Sequence, residues 1–167
     1  MEDLDEAITY NCEALRLCPL GHPGRSTSLN NLSNGIFTRY KQFSRMEDLE
    51  DVIRHRREAL SLHPADHPDC SKSLNGLASA VLARHVQSGG AEDLKESFML
   101  YEQAIDNLAA SSDSRLTAAI EWAGTARQHH HSSVVCAYSI SLHLLDRCLV
   151  SYPKFSCHCP YTAFTCL

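Results

Sequence analysis

The fold is decided by the stretch "MEDLDEAITYNCEAL" at residues 1–15, because it returns as "MEDLEDVIRHRREAL" at residues 46–60. Aligned without a gap, residues 1–45 and 46–90 are identical at 19 of 45 positions. The same offset continues into a third, more diverged copy. Repetition at such a period is typical of architectures in which each unit packs against the next. The sequence is therefore read as a repeat array.

Two apolar stripes with helical spacing run through each copy. Leu29, Leu32 and Ile36 lie at positions i, i+3 and i+7, which fall on one face of a helix. Leu4 and Ile8 begin a second stripe of the same kind. Prolines and glycines separate the stripes, and no alternating strand pattern competes with them. The sequence predicts an all-α fold, in which two-helix units stack into an α-solenoid of antiparallel helix pairs.

The composition argues against several classes of function. The chain has 167 residues, of which 44% are hydrophobic, and its formal net charge is −5. An acidic chain lacks the basic face that nucleic-acid binding requires, and it offers no polybasic patch for a membrane. Glu2, Asp3, Asp5 and Glu6 stand where a signal peptide would need basic and apolar residues. We therefore expect a cytoplasmic protein that binds neither nucleic acid nor membrane, with its cysteines reduced.

The repeats resemble those of the tetratricopeptide superfamily, and in particular its kinesin-light-chain-like branch. The resemblance is carried by the segment "SLNNLSNGIF" at residues 28–37 and by helices of the type "EALRLCP". It implies a superhelix of helix pairs over the period-45 region. The implied segments are repeats over 1–108, made of an unpaired helix at 1–18 and pairs at 26–62 and 70–108, then a diverged terminal pair at 109–152. The tail at 153–167 matches nothing expected of the family, and we expect it to be disordered or misjoined.

A closer resemblance is to large fungal proteins, in which long repeats reading "EDL-EAI-REAL-L-P-HPDRS-SLNNLA" precede a caspase-like CHAT domain. Residues 109–152 are similar to the segment that such proteins place between the array and that domain. No part of the chain resembles the CHAT domain itself. The resemblance implies a fragment of a larger protein that is not itself an enzyme. The alternative function is the regulatory arm of a CHAT-type protein whose catalytic domain this chain lacks.

By the same resemblance, the first helix of each pair lines a concave groove that grips an extended peptide. The implied groove positions are Thr27, Asn30, Asn34 and Arg39 in the first pair, and Lys72, Asn75, Ser79 and Arg84 in the second. A carboxamide can donate and accept hydrogen bonds at once, which suits a peptide backbone, and an arginine can pair with a ligand carboxylate. The alternative is that Asn30 and Asn75 fasten the neighbouring helix and that both arginines are solvated.

Two clusters invite a metal interpretation, and we favour neither. The three histidines at 129–131 would point about 100° apart on a helix, so they could not converge on one ion, and a polar turn is expected there. The segment "CHC" at 157–159 has one residue between its cysteines, whereas structural zinc sites have about two to four. His22 and His67 recur at the repeat period, which favours a loop-packing role. We expect no metal and no cofactor.

The function that follows is a protein–protein interaction module. Its partner is a protein or peptide whose identity the sequence does not give. The apolar stripe of the helix at 1–18 lacks a partner helix, so self-association through this helix is a second expectation. Trp122 falls at the repeat position of Leu32 and Leu77, and we expect it to be part of the core.

Overall fold

The computed structural model describes residues 2–64 and 66–151. These residues form seven α-helices and no strand, which confirms the all-α class. The helices are α1 (Glu2–Arg16), α2 (Arg25–Phe43), α3 (Met46–Ser61), α4 (Cys70–Ser88), α5 (Ala91–Asp106), α6 (Ser112–Gln128) and α7 (Val134–Ser151). None of the described helices combines the length and hydropathy needed to cross a bilayer. The tail at 153–167, which was expected to be disordered or misjoined, lies outside the described residues, and so does the "CHC" segment at 157–159 within it.

The ends of α2 and α4 are set by single residues in the left-handed conformation. Ser44 follows α2 with a φ of 52°, and Gly89 follows α4 with a φ of 74°. Their N–H groups donate to the carbonyls of Tyr40 and His85, each at 2.7 Å, which satisfies carbonyls that the helix end leaves free. Short connections follow, and α3 and α5 then begin with acidic first turns that suit the positive end of the helix dipole.

In the loops before α2 and α4, a histidine side chain makes the same hydrogen bond with the backbone. The Nδ1 atom of His22 accepts a hydrogen bond from the backbone N–H of Gly24 at 3.0 Å. The Nδ1 atom of His67 accepts the corresponding bond from Asp69 at 3.2 Å. Because the same bond recurs in both loops, the expected loop-packing role of these histidines is confirmed.

The turn between α6 and α7 contains the three consecutive histidines. α6 ends at Gln128 and α7 begins at Val134. His130 has a φ of 50°, so the backbone leaves the helical conformation within the histidine run. The N–H of His131 returns to the carbonyl of Ala126 at 2.8 Å, which closes the helix end. The expected polar turn is therefore confirmed.

The helices pack in chain order. Each helix from α1 to α6 contacts the next one, and α4 also contacts α6. One continuous hydrophobic core runs through these contacts from Ile8 in α1 to Leu144 in α7. Leu32, Leu77 and Trp122, which share one repeat position, are all buried in it. The core role expected for Trp122 is therefore confirmed.

Candidate functional site

A polar cavity of about 270 Å³ lies between α2 and α4. We name it the α2–α4 cavity. Four of the eight residues expected in the groove line it: Thr27, Asn30 and Asn34 from α2, and Lys72 from α4. The helical spacing of three and four residues places the α2 side chains on one face. The structure therefore brings half of the expected groove residues together at one site.

The two asparagines at the same repeat position have different environments. Asn30 Nδ2 lies 2.8 Å from the Oγ atom of Ser73, so this side chain joins α2 to α4. Asn75 does not line the α2–α4 cavity, and its buried Oδ1 atom accepts no hydrogen bond from any described residue. The fastening role left open for Asn30 by the sequence is present in the structure, whereas no described residue plays this part for the side chain of Asn75.

Ser79 contacts the third copy of the repeat. Its Oγ atom lies 2.8 Å from Oε2 of Glu121 in α6 and 3.0 Å from the carbonyl of Asn75. Ser79 thus joins α4 to α6, away from the α2–α4 cavity.

Tyr101 is buried in the core, and burial is the main cause that raises its pKa to about 12, so the phenol stays neutral at physiological pH.

Arg39 and Arg84 each form the same arrangement of ion pairs, which we name the arginine clasp. Arg39 donates to both carboxylate oxygens of Asp48 at 3.0 and 2.7 Å, and to Asp5 at 3.3 Å. Arg84 makes the same bidentate contact with Asp93 at 2.9 and 2.8 Å. Hydrogen bonding to these aspartates raises the pKa of both guanidinium groups.

The second clasp also reaches back to the preceding helix, as the first does. Arg84 donates to the carboxylate of Glu50 at 3.2 and 3.3 Å. Each clasp therefore joins three helices, α1–α2–α3 in one case and α3–α4–α5 in the other. Both arginine side chains are partly buried, and each already holds two carboxylates of its own chain. For this reason the arginines form no part of the binding site proposed below.

Arg56 of α3 lines the α2–α4 cavity, and the sequence analysis did not select it. Its side chain is buried, with the residue only 6% exposed. Its Nη2 donates to Oδ1 of Asn34 at 2.8 Å, but its buried Nε–H has no acceptor among the described residues. Burial lowers the pKa of Arg56 to about 10, against a raising influence of Glu121, so the group is still charged at pH 7.

The space that Arg56 occupies exists because residue 76 is glycine. A Cβ atom at Gly76 would overlap the guanidinium group of Arg56, so this side chain could not keep its position beside a larger residue. The corresponding residues of the first copy are Asn11 and Asn31. An arginine and a glycine therefore depart from the repeat together, and this paired departure is the sequence signal that could have identified the site.

A larger and more apolar cleft of about 940 Å³ lies beside the α3–α4 loop and the end of α5. Cys70 lines it at the repeat position of Arg25. Arg25 makes two hydrogen bonds with Glu58, at 2.9 and 2.6 Å, that join α2 to α3. The smaller cysteine makes no such bridge to α5, and Gln103 stands in place of the glutamate.

Three potential metal ligands meet near this cleft: His63, His67 and Asp69. Their ligand atoms lie within 4.8 Å of one another. The two imidazole rings stack with their centroids 4.0 Å apart and their planes 12° apart. Ring-nitrogen lone pairs lie in the ring plane, so two nearly parallel rings at this spacing do not aim at one ion. We therefore propose no metal site there.

Cys70 has the environment of an unreactive thiol. It is 3% exposed, its Sγ donates to the carbonyl of Pro64 at 3.3 Å, and burial raises its pKa. Because the thiolate is the reactive form, we expect iodoacetamide at pH 8 to alkylate the exposed Cys12 and Cys136 at least about tenfold faster than Cys70. Peptide mass spectrometry over a time course measures this. Equal rates in the native state would contradict the structure, whereas equal rates in urea are expected.

No protein-family model and no curated protein matches the sequence of this chain.

Proposed function

We propose that the chain is an α-solenoid related to the tetratricopeptide repeats, and that it is a non-catalytic module that binds a peptide or a partner domain. The order of the helix contacts supports the solenoid. Helices pack against their chain neighbours, α4 reaches α6, and the described terminal helices α1 and α7 share no extensive contact. Such contacts are typical of a stack of units, in which each unit touches only its neighbours.

The observation that carries the binding function is the α2–α4 cavity. Two successive first helices line it, and its described lining consists of polar and charged side chains. Amide, hydroxyl and ammonium groups of this kind are suited to a peptide backbone with polar side chains. The neighbouring arginine clasps hold the helices around this cavity, so the site rests on a fixed scaffold.

The state of the cysteines supports a reducing compartment, and we propose that the protein acts in the cytoplasm. Five cysteines lie in the described residues, and all five are free. Two of them, Cys70 and Cys148, are buried as small apolar side chains. Disulfides form and persist mainly in oxidising compartments, so unpaired thiols are typical of cytosolic proteins.

A peptide selection tests the binding function. Peptides from a random display library are selected on the immobilised full chain, and their affinities are measured by fluorescence polarisation. Asn31 is exposed and lines the cavity, so Asn31→Trp should obstruct the cavity and lower the affinity for the selected peptides by at least about tenfold. Gln42→Trp is the control, because it adds the same exposed ring to α2 outside the cavity.

The proposal predicts a difference between these two tryptophan variants. Affinity within about twofold of the wild type is expected for Gln42→Trp. A selection that enriches no peptide, or peptides that bind both variants as well as the wild type, would show that the α2–α4 cavity is not a peptide site.

A further inference from the structure

The cleft of about 940 Å³ beside the α3–α4 loop combines an apolar floor with an acidic rim. We name it the α3–α5 cleft. Leu60, Leu74 and Leu100 line it from α3, α4 and α5, and all three are buried or half-buried. Asp66 and Asp106 line it with exposed carboxylates. Ligand sites typically have volumes of about 300–1,000 Å³, so the cleft is large enough to hold several side chains of a partner.

The pair of residues that bridges this position in the first copy is missing from the second. Arg25 donates two hydrogen bonds to Glu58, at 2.9 and 2.6 Å, and so joins α2 to α3. The corresponding residues are Cys70 and Gln103, and both line the α3–α5 cleft. They cannot form an ion pair, and Sγ of Cys70 donates to the carbonyl of Pro64 instead. Loss of both partners together leaves the cleft open.

The same copy gains two carboxylates at the cleft. Asp66 and Asp106 correspond to Gly21 and Ser61 of the first copy. Within residues 2–64 and 66–151, neither aspartate forms an ion pair. The described lining of the cleft contains no lysine or arginine. Both aspartates are therefore able to pair with a cation from another molecule.

The surroundings of the cleft keep its charge negative. The C-terminal ends of α3 and α5 lie beside it, and helix C-termini carry partial negative charge. Arg115 donates from Nε to the carbonyl of Ile105 at 2.6 Å, so one cation stands near the end of α5 without lining the cleft. When Arg115 is counted against Asp66 and Asp106, one negative charge is left. Such a cleft favours a ligand that joins an apolar body to a cation.

A buried asparagine holds the two sides of the cleft together. Asn107 is 8% exposed, and its Nδ2 donates to the carbonyl of His67 at 2.8 Å, which ties the end of α5 to the α3–α4 loop. Its Oδ1 accepts from the N–H of Ala109 at 3.1 Å. The segments that carry Asp66 and Asp106 are thus connected directly. A partner that enters the cleft meets a shape already formed, which lowers the cost of binding.

We propose that the α3–α5 cleft binds a segment of a partner protein in which large apolar residues such as leucine are flanked by lysines or arginines. The apolar side chains pack against Leu60, Leu74 and Leu100, and the flanking cations pair with Asp66 and Asp106. The described linings of this cleft and of the α2–α4 cavity share no residue. The cleft is therefore a second binding surface, and the inference does not depend on the cavity.

A peptide titration followed by methyl NMR tests the proposal on the full chain. The probe is acetylated and amidated Gly-Lys-Leu-Leu-Lys-Gly. In one control peptide glutamates replace the lysines, and in the other serines replace the leucines. His63 also lines the cleft and gains a charge when protonated, so the titration is run at about pH 8.

The methyl signals of Leu108, which lines the cleft, report binding. They are assigned by their loss in Leu108→Met. We expect the probe to shift these signals saturably, with a Kd on the order of 1 mM, and each control peptide to bind at least about tenfold more weakly.

Removing the two carboxylates tests their role. Asp66→Asn with Asp106→Asn should weaken the probe by at least about fivefold, because both cations of the peptide lose their partners. Both side chains are exposed, so the fold should be kept. Glu92→Gln with Glu102→Gln is the matched control, since it removes two exposed carboxylates from α5 that do not line the cleft. Its affinity for the probe should stay within about twofold of the wild type.

Restoring the bridge of the first copy tests the role of the open cleft. Cys70→Arg with Gln103→Glu supplies the pair that Arg25 and Glu58 form in that copy. We expect this variant to keep its helical circular dichroism and to show no shift of Leu108 up to about 20 mM of the probe. Should it fail to fold, the asparagine double variant decides the question alone.

Four results would overturn the proposal. They are no shift of Leu108 in the wild type up to about 20 mM of the probe, equal affinity for either control peptide, unchanged affinity of Asp66→Asn with Asp106→Asn, and unchanged affinity of a folded Cys70→Arg with Gln103→Glu. Asn31→Trp should bind the probe as the wild type does, because it obstructs only the α2–α4 cavity. Loss of the probe in that variant would place it in the cavity, so the inference would fail while the proposed binding function would stand.

Discussion

Leu77→Asp is expected to unfold this protein or to lower its free energy of unfolding by at least about 4 kcal/mol. Leu77 is 3% exposed and belongs to the continuous core that links the helices. The substitution removes the buried leucine and puts a carboxylate into apolar surroundings, and both changes act against the folded state. Because domains of this kind are stable by only about 5–15 kcal/mol, the loss is a large part of the total.

Urea unfolding followed by far-ultraviolet circular dichroism measures this effect. Val86→Asp is the matched control, because Val86 lies on the same helix and is 63% exposed. It should change the free energy of unfolding by no more than about 0.5 kcal/mol. An unfolding curve for Leu77→Asp that overlays the wild-type curve would mean that this side chain is not in the core.

The all-α class was predictable because the same helical spacing of apolar residues occurs in more than one copy of the repeat. Apolar positions such as Leu29, Leu32 and Ile36 recur at helical spacing, and their burial is what makes the spacing informative. Gly89 and the proline-containing loops mark where the chain must turn. These signals are local, so no knowledge of distant contacts was needed to place the helices.

The arginine clasps were not predicted, because their partners lie across a turn. Arg39 and Asp48 are nine residues apart, a spacing that no single helix face brings together, and the third group, Asp5, is 34 residues away. The recurrence of all three positions as Arg84, Asp93 and Glu50 was present in the sequence. It marks an interaction that the first two copies share, but the sequence alone did not separate a structural pair from a ligand contact.

The candidate site was harder to predict because it departs from the repeat. The family resemblance directs attention to residues that recur, such as Asn30 and Asn75, yet these two have different environments. Arg56 occurs in only one copy, opposite a glycine that makes room for it. A binding site that distinguishes one repeat from the next is expected at such exceptions, since residues kept in every copy tend to serve the stacking that all copies share.

Arg39→Ala is expected to lower the free energy of unfolding by about 3 kcal/mol. The partner Asp48 is only 4% exposed, so loss of the bidentate contact leaves a carboxylate that is both buried and unpaired. The contact between α1 and α2 through Asp5 is lost as well, but Asp5 is exposed and contributes little. Most of the effect should therefore come from Asp48, and urea unfolding measures it.

A double-mutant cycle with Asp48→Asn separates the cost of the unpaired charge from the loss of arginine packing. If the buried carboxylate is the main cause, Arg39→Ala with Asp48→Asn should recover at least about half of the lost stability. Arg54→Ala is the control, because Arg54 pairs with Asp51 on an exposed helix face and should cost no more than about 0.5 kcal/mol. Equal losses for Arg39→Ala and Arg54→Ala would contradict the clasp as a stabilising contact, and the α2–α4 cavity would lose the rigid support that its position depends on.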